Sequence, residues 1–412
     1  MKRYDLTVLG GGISGVAAAV SASRQGLSVL LMEKTGHLGG AMSNNLVYPF
    51  MRYRTTPKTG DRRILDAGIF TEMRDRFKAY GETSWEFYKL VFDDMIREAG
   101  VDVLFHTAAF GVETHGNRIK SLKAASVSGV LEFESDFFID ASGDGDLFYM
   151  AGCDYQLGRE SDGYSQPMTT CFRLCGVDTE LFTKELPGLD KLWAEMQKSG
   201  KLTNPRENIL SFLGLGDGIL HLNTTRVIMK NPTDAFELSE AETEARRQVL
   251  ETYRFLKENS AACKNAQLIY IAPAVGVRES RKLKGVHVLT AQEITSLTYF
   301  EDTVALGNYC IDIHNPTGTG TTIHSFKDEE YYTIPYRSLL PKEYVNLLVA
   351  GRCLSATHEA QSAVRIMPIC ACLGQAAGVA AAIAEKTGTD AHGVDVALLR
   401  ETLRGLGAVL EL

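Results

Sequence analysis

The sequence predicts an α/β chain: a largely parallel sheet with packed helices, interrupted by an inserted α+β domain. Three observations carry that expectation. A short apolar strand runs into a glycine-rich turn and a small-residue helix at the N-terminus. A second apolar strand comes next and ends on an acidic residue, and near the C-terminus another buried-type strand precedes a long run of glycine and alanine. At 412 residues the chain has room for two or three domains with real cores.

The first unit is Leu6-Thr7-Val8-Leu9, then Gly10-Gly11-Gly12-Ile13-Ser14-Gly15, then a helix over Val16 to Arg24. Strand, G-x-G-x-x-G and helix in that order is the context a dinucleotide site requires. Gly10 permits the tight turn, Gly12 lets the backbone approach a diphosphate, and Gly15 lets helix and strand pack closely. The helix N-terminus then offers unpaired N–H groups and a partial positive charge. The second strand, Leu27 to Met32, ends at Glu33, eighteen residues past Gly15, where an acidic side chain holds ribose hydroxyls. A carboxylate there repels a 2′-phosphate. The N-terminal domain is therefore expected to be Rossmann-like.

The segment after Glu33 separates the nucleotides. Lys34-Thr35-Gly36-His37-Leu38-Gly39-Gly40 stays glycine-rich where an NAD enzyme would begin another helix. Glu-Lys-x-x-x-x-Gly-Gly resembles the corresponding motif of FAD flavoproteins. Phe137-Phe138-Ile139-Asp140-Ala141-Ser142-Gly143-Asp144 resembles their later strand ending in Ala-Thr-Gly, with Ser142 in place of Thr. A third element begins with the strand Asn346 to Val349 and Ala350-Gly351-Arg352, and continues to Gly374-Gln375-Ala376-Ala377-Gly378. Such small residues allow a very closely packed helix. If its N-terminal end faces a flavin pyrimidine, its dipole stabilises the reduced ring.

Together with Val275 to Arg281 and Ile311 to Gly318, these segments resemble the FAD-dependent oxidoreductase family of bacterial flavoproteins, relatives of the succinate dehydrogenase/fumarate reductase flavoprotein group. The likeness runs from Asp5 to about Glu385. It implies bound FAD and a cofactor domain of the glutathione-reductase type. By position it points to Gly10, Gly12, Ser14, Gly15, Glu33, Lys34, Gly39 and Gly40 as cofactor residues. Further along it points to Ala141, Ser142, Gly143, Gly351, Arg352, Gly374, Ala376 and Ala377. The relatives often attach FAD through a histidine; His37 lacks that context, so non-covalent FAD is expected.

Between these elements, Arg62 to Phe77 and Trp85 to Ala99 have helical periodicity. Val101–His106, Phe110–Thr114, Arg118–Ser126 and Val130–Ile139 read as strands of a small antiparallel insertion. From Cys153 to Leu340 the chain carries scattered prolines and a long helix over Ser239 to Asn259. The expected organisation is a discontinuous FAD domain, 1–152 and 341–412, around a substrate or cap domain, 153–340. No second G-x-G-x-x-G with a following helix occurs, and none of the eight cysteines forms a CxxC pair. A disulfide-reductase mechanism therefore lacks both its nicotinamide site and its dithiol, and no metal-ligand spacing is present.

Composition limits the partners. The 43 Lys+Arg against 51 Asp+Glu give a formal charge of −8, unsuited to nucleic acid. The apolar runs are too short for a signal peptide or a membrane span, so a cytoplasmic location is expected. The substrate is expected to be a small molecule, with an unidentified electron acceptor or donor, and the oligomeric state is open.

Arg278 and Arg281 come after an apolar run, and arginine clamps carboxylates bidentately, which suits an acidic substrate. Asp312 and His314 share one face of a strand, a setting for proton transfer. His358 and Arg365 lie between the Gly351 strand and the Gly374 helix. The expected catalytic set is His314, Arg278, His358 and Arg365, in an enzyme passing a hydride between a small, acidic substrate and FAD. The alternatives are an oxygen-using monooxygenase or oxidase on the same fold, and a flavin-binding subunit without turnover of its own.

Overall fold

The computed structural model describes residues 2–55 and 62–412. Its central sheet begins with β1 (Lys2–Leu9), whose last four residues are buried and, apart from Thr7, apolar. After α1 (Ile13–Arg24) comes β2 (Val29–Met32), parallel to β1 with Leu9 level with Met32. β3 (Asp102–Leu104) extends the parallel sheet beyond β2. It was expected in an antiparallel insertion; only β4 (Ala108–His115), β5 (Arg118–Ser126) and β6 (Gly129–Asp140) run antiparallel. β6 is long enough for two jobs. Its first half pairs with β5, and its second half runs parallel to β1 on one side and to the strand Leu347–Val349 on the other. Leu9, Met32, Asp140 and Val349 thus end at one edge of the sheet, the edge where α/β folds bind ligands.

α1 is buried from Ile13 to Ala22, and its outer face is covered by the helix Met367–Thr387. Their contact is backbone to backbone. A methyl on Gly374 would meet the Ser14 carbonyl oxygen at 2.1 Å, and one on Gly378 would meet that of Ala18 at 2.2 Å. The Met367–Thr387 helix is long and apolar enough to cross a membrane, yet its apolar stretch is wholly buried within the protein, as in a core helix. The helix expected from Arg62 starts only at Ile69, because Gly68 turns the chain with φ +71° and Arg54 bridges Ile64 just before it.

A separate core lies under a four-stranded antiparallel sheet (Ser211–Phe212, Leu220–Leu222, Phe172–Cys175, Gln267–Ile271). Helices Thr179–Lys198 and Ala235–Asn259 pack against it through Leu189, Trp193, Val249 and Phe255. The stretch from Leu289 to Leu340, expected in the same domain, instead joins the core shared by α1 and the Met367–Thr387 helix. Its strands Thr303–Gly307 and Tyr332–Pro335 bury every residue. The separately cored part of the insertion is therefore shorter than 153–340.

Candidate active site

At the carboxyl edge of the sheet the glycines do different work. Gly10 has φ +101°, and a methyl there would sit 2.5 Å from the Ala141 carbonyl oxygen. β1 and the end of β6 meet this closely only through glycine. At Gly15 a methyl would meet the Gly10 oxygen at 1.8 Å. Gly39 and Gly40 close on the loop from the other side: Gly39 donates its N–H to the Gly11 oxygen at 2.9 Å, and a Gly40 methyl would reach the Gly12 Cα at 2.8 Å. Gly12 differs. Its φ of −66° is ordinary, and a methyl there would find no described protein atom nearer than 3.8 Å.

Glu33 is buried at 5 % exposure and receives the Gly11 N–H at 2.7 Å and the Thr35 N–H and hydroxyl at 2.8 Å each. A cleft beside it is lined by Gly10, Lys34, Thr107, Ala109, Ser142 and Asp146. α1 has no side-chain cap and no acid in its first turn, and the buried Ser14 hydroxyl has no partner among the described residues. An uncapped N-terminus with an orphaned hydroxyl, reached through an open Gly12 and next to the buried Glu33 carboxylate, fits a dinucleotide diphosphate.

Asp140, Asp144 and Arg352 shape the neighbouring strand ends. Asp140 accepts from the Ser142 N–H and hydroxyl and caps the helix Asp146–Met150 through the Leu147 and Phe148 N–H groups. Burial pushes its carboxyl up to about 6. Burial also penalises the Asp144 charge, but Arg352 and Lys34 outweigh it and hold that carboxyl below its ordinary value. The Arg352 guanidinium lies 2.7 Å from Asp144 and 3.0 Å from where a Gly143 methyl would be. Gly374, Ala376 and Ala377, expected against the cofactor, sit two turns and more inside the Met367–Thr387 helix, fully buried. Gly374 serves the contact with α1, as its approach to Ser14 shows. The helix N-terminus itself lies at Met367-Pro368.

The chain spanning residues 5–403 matches the model of the family described as FAD dependent oxidoreductase. The chain belongs to that family. This FAD-dependent oxidoreductase is 24 % identical over 155 residues to the digeranylgeranylglycerophospholipid reductase of Methanothrix thermoacetophila, a match covering 34 % of this chain and 39 % of that protein. A flavoprotein/dehydrogenase structure from Cytophaga hutchinsonii is 13 % identical with TM-score 0.48, covering 98 % of this chain and 82 % of that one. A geranylgeranyl bacteriochlorophyll reductase-like structure from Thermoplasma acidophilum is 15 % identical with TM-score 0.46, covering 98 % and 83 %. The cofactor of the family is FAD, and the glycine-lined edge of the sheet has the open backbone and uncapped helix that fit its diphosphate.

Next to that edge the oxidoreductase gathers four arginines. Asn45, just past the Gly39-Gly40 pair, donates its side-chain N–H groups to the Ala274 and Val275 oxygens. Gln361 donates to the Arg278 and Arg352 oxygens. The segment carrying Arg278 is thereby held between Asn45 and the helix His358–Val364. The Arg278 guanidinium donates to the Pro167 oxygen at 2.6 Å and to the Thr169 hydroxyl, and among the described residues it has no carboxylate within 4 Å. Burial, then repulsion from Arg365, lowers it to about 9. Arg365 is likewise without a described carboxylate partner; one of its terminal nitrogens lies 3.3 Å from the Gln166 side-chain oxygen and 3.4 Å from the Asp312 carbonyl.

His314 belongs to this cluster. Its Nδ1 faces the Arg226 guanidinium at 3.1 Å and the Thr321 hydroxyl at 3.2 Å, and its Nε2 faces Asp312 at 3.4 Å. Burial, reinforced by Arg278, lowers it to about 3. Nδ1 accepts and Nε2–H donates, a neutral ring locked at both ends. Asp312 also accepts the Tyr309 hydroxyl at 2.9 Å, and its cationic and donor neighbours overcome burial to hold it far below the usual carboxylate range.

His358 lies elsewhere. Its Nδ1 sits 2.7 Å from Glu279, a fully buried carboxylate that also takes Lys282 and the Gln166 N–H. This His–Glu–Lys group is sealed in the core and anchors the start of the helix His358–Val364. Lys282 pairs with Glu279, whereas Arg281 bonds Asp146 and lies over the Tyr149 ring. Arg206, Arg226 and Gln166 were missed. They come from cap loops distant in sequence, in contexts such as Asn204-Pro205-Arg206-Glu207 that carry no motif.

Proposed function

We propose that this enzyme transfers a hydride between a small acidic organic substrate and non-covalently bound FAD, on a fold of the glutathione-reductase type. The observation that carries the substrate class is the pair Arg278 and Arg365: two adjacent guanidiniums, neither with a described carboxylate within 4 Å, beside the cofactor edge. A substrate carboxylate accepted by them relieves the repulsion that now lowers Arg278. FAD, when bound, supplies the hydride-accepting or hydride-donating centre. The chain's own residues orient the acid against it. Asp312, kept ionised, and His314, kept neutral, fix the arginine side of the pocket and leave the guanidiniums as its charge-bearing face. Non-covalent attachment is supported by His37, whose Nδ1 is turned to the Thr35 hydroxyl at 3.3 Å.

The test is an anaerobic screen of flavin bleaching with small hydroxy and saturated acids, each beside its neutral amide. Acids are expected to bleach the flavin and amides not. Bleaching indifferent to charge overturns the reading, and rapid air oxidation of the reduced enzyme with hydroxylated product supports the monooxygenase alternative instead.

A further inference from the structure

We infer that the substrate carries two negative charges and that Arg206 is the residue that reads the second. The inference rests on the acidic-substrate reading and extends it. Four guanidiniums converge on the site, Arg206, Arg226, Arg278 and Arg365, against two carboxylates, Glu207 and Asp312. Since His314 is neutral, the cluster holds an excess of two positive charges.

Asp312 is fully engaged, whereas the Glu207 Oε2 makes no hydrogen bond among the described residues and leans toward Arg226. Glu207 lies 3.2 Å from Arg226 but 3.9 Å from Arg206, and Asp312 is taken up by Tyr309 and His314. Arg226 is satisfied further by the Gly318 and Gly320 oxygens at 3.1 Å. Arg206 is not. It is 5 % exposed, its Nε reaches Asn208 at 3.3 Å, and its Nη1 is buried without a partner among the described residues. The buried Gln166 amide nitrogen is also unpartnered there, while its oxygen holds Arg365 and the His314 N–H. A guanidinium withdrawn from water with an idle N–H is costly unless something anionic completes it. One acid on Arg278 and Arg365 leaves Arg206 with Glu207 alone, at 3.9 Å and shared with Arg226; a dianion supplies the second charge.

Two chemistries supply a dianion, a dicarboxylate and a phosphate monoester, and the arms of the test separate them. Holoenzyme is titrated with acetate, malonate, succinate and inorganic phosphate, following the flavin spectrum and, independently, calorimetric heat. A dianion is expected to bind about thirtyfold more tightly than acetate, the worth of one charged hydrogen-bonded contact. Gain with malonate or succinate alone indicates two separated carboxylates, and equal gain with phosphate a single dianionic group. Arg206→Gln keeps the backbone bonds to Asn204 and Trp193, so the loop is retained. It should erase the dianion advantage and leave acetate within about twofold, while Arg206→Lys restores part of it. Equal binding of acetate and all dianions by the wild type, or equal weakening of both by Arg206→Gln, overturns the inference alone. No binding by any anion overturns the acidic-substrate reading as well.

Discussion

Replacing Gly12 by alanine separates ligand contact from fold more cleanly than any other change in the loop. The backbone there is at φ −66°, acceptable to any residue, and the added methyl stays 3.8 Å from the nearest protein atom. The apoprotein should lose nothing and gain about 0.4–1 kcal/mol from the stiffer unfolded chain. The methyl nevertheless projects where a diphosphate oxygen must come to lie within about 3 Å of the first-turn N–H groups of α1. Losing two charge-assisted hydrogen bonds costs about 3–6 kcal/mol, so the FAD dissociation constant should rise a hundredfold or more. The assay pairs thermal unfolding of the apoprotein with flavin-fluorescence titration. Gly15→Ala is the control: its methyl would overlap the Gly10 oxygen, so it should lose stability before it loses flavin. A Gly12→Ala protein that binds FAD as the wild type does would refute the placement of the diphosphate.

Because Arg278 sits at about 9, carboxylate affinity should be flat from about pH 6 to 8 and fall as pH rises through that value; titration of holoenzyme with an acid across this range checks it. His314, lowered to about 3 from an ordinary 6.5, contributes stability above pH 6.5 that is lost on acidification, about 3 kcal/mol by pH 4. His314→Gln should flatten the acid limb of a denaturant-derived stability profile between pH 6.5 and about 4, and an unchanged slope would show that the ring is not buried neutral. Lys282→Met leaves the buried Glu279 with only His358 and the Gln166 N–H and should cost about 3 kcal/mol in urea unfolding, with the flavin spectrum of the folded fraction unchanged.

The nucleotide edge was legible in the sequence because its chemistry is local. Gly10, Gly12, Gly15 and Glu33 act within one strand–helix–strand unit, and spacing along the chain is spacing in space. The pairing of Asp312 with His314 was legible for the same reason, since alternate residues of a strand share a face. Gly374, Ala376 and Ala377 were ambiguous because small residues serve two purposes that composition cannot distinguish, approach to a ligand and approach to another helix. The burial of His358 against Glu279 was not legible because the two lie far apart in sequence. Arg206 and Arg226 were invisible for the complementary reason: each is an ordinary arginine in an ordinary loop until the cap sheet brings it beside Arg278.

The clasp between α1 and the Met367–Thr387 helix has a consequence for biosynthesis. α1 has ten buried residues, and it leaves the ribosome long before the surface that covers its outer side has been made. The strand Leu347–Val349, which completes the flank of β6, also arrives late. A nascent polypeptide halted at residue 340 would therefore expose the alanine-rich flank of α1.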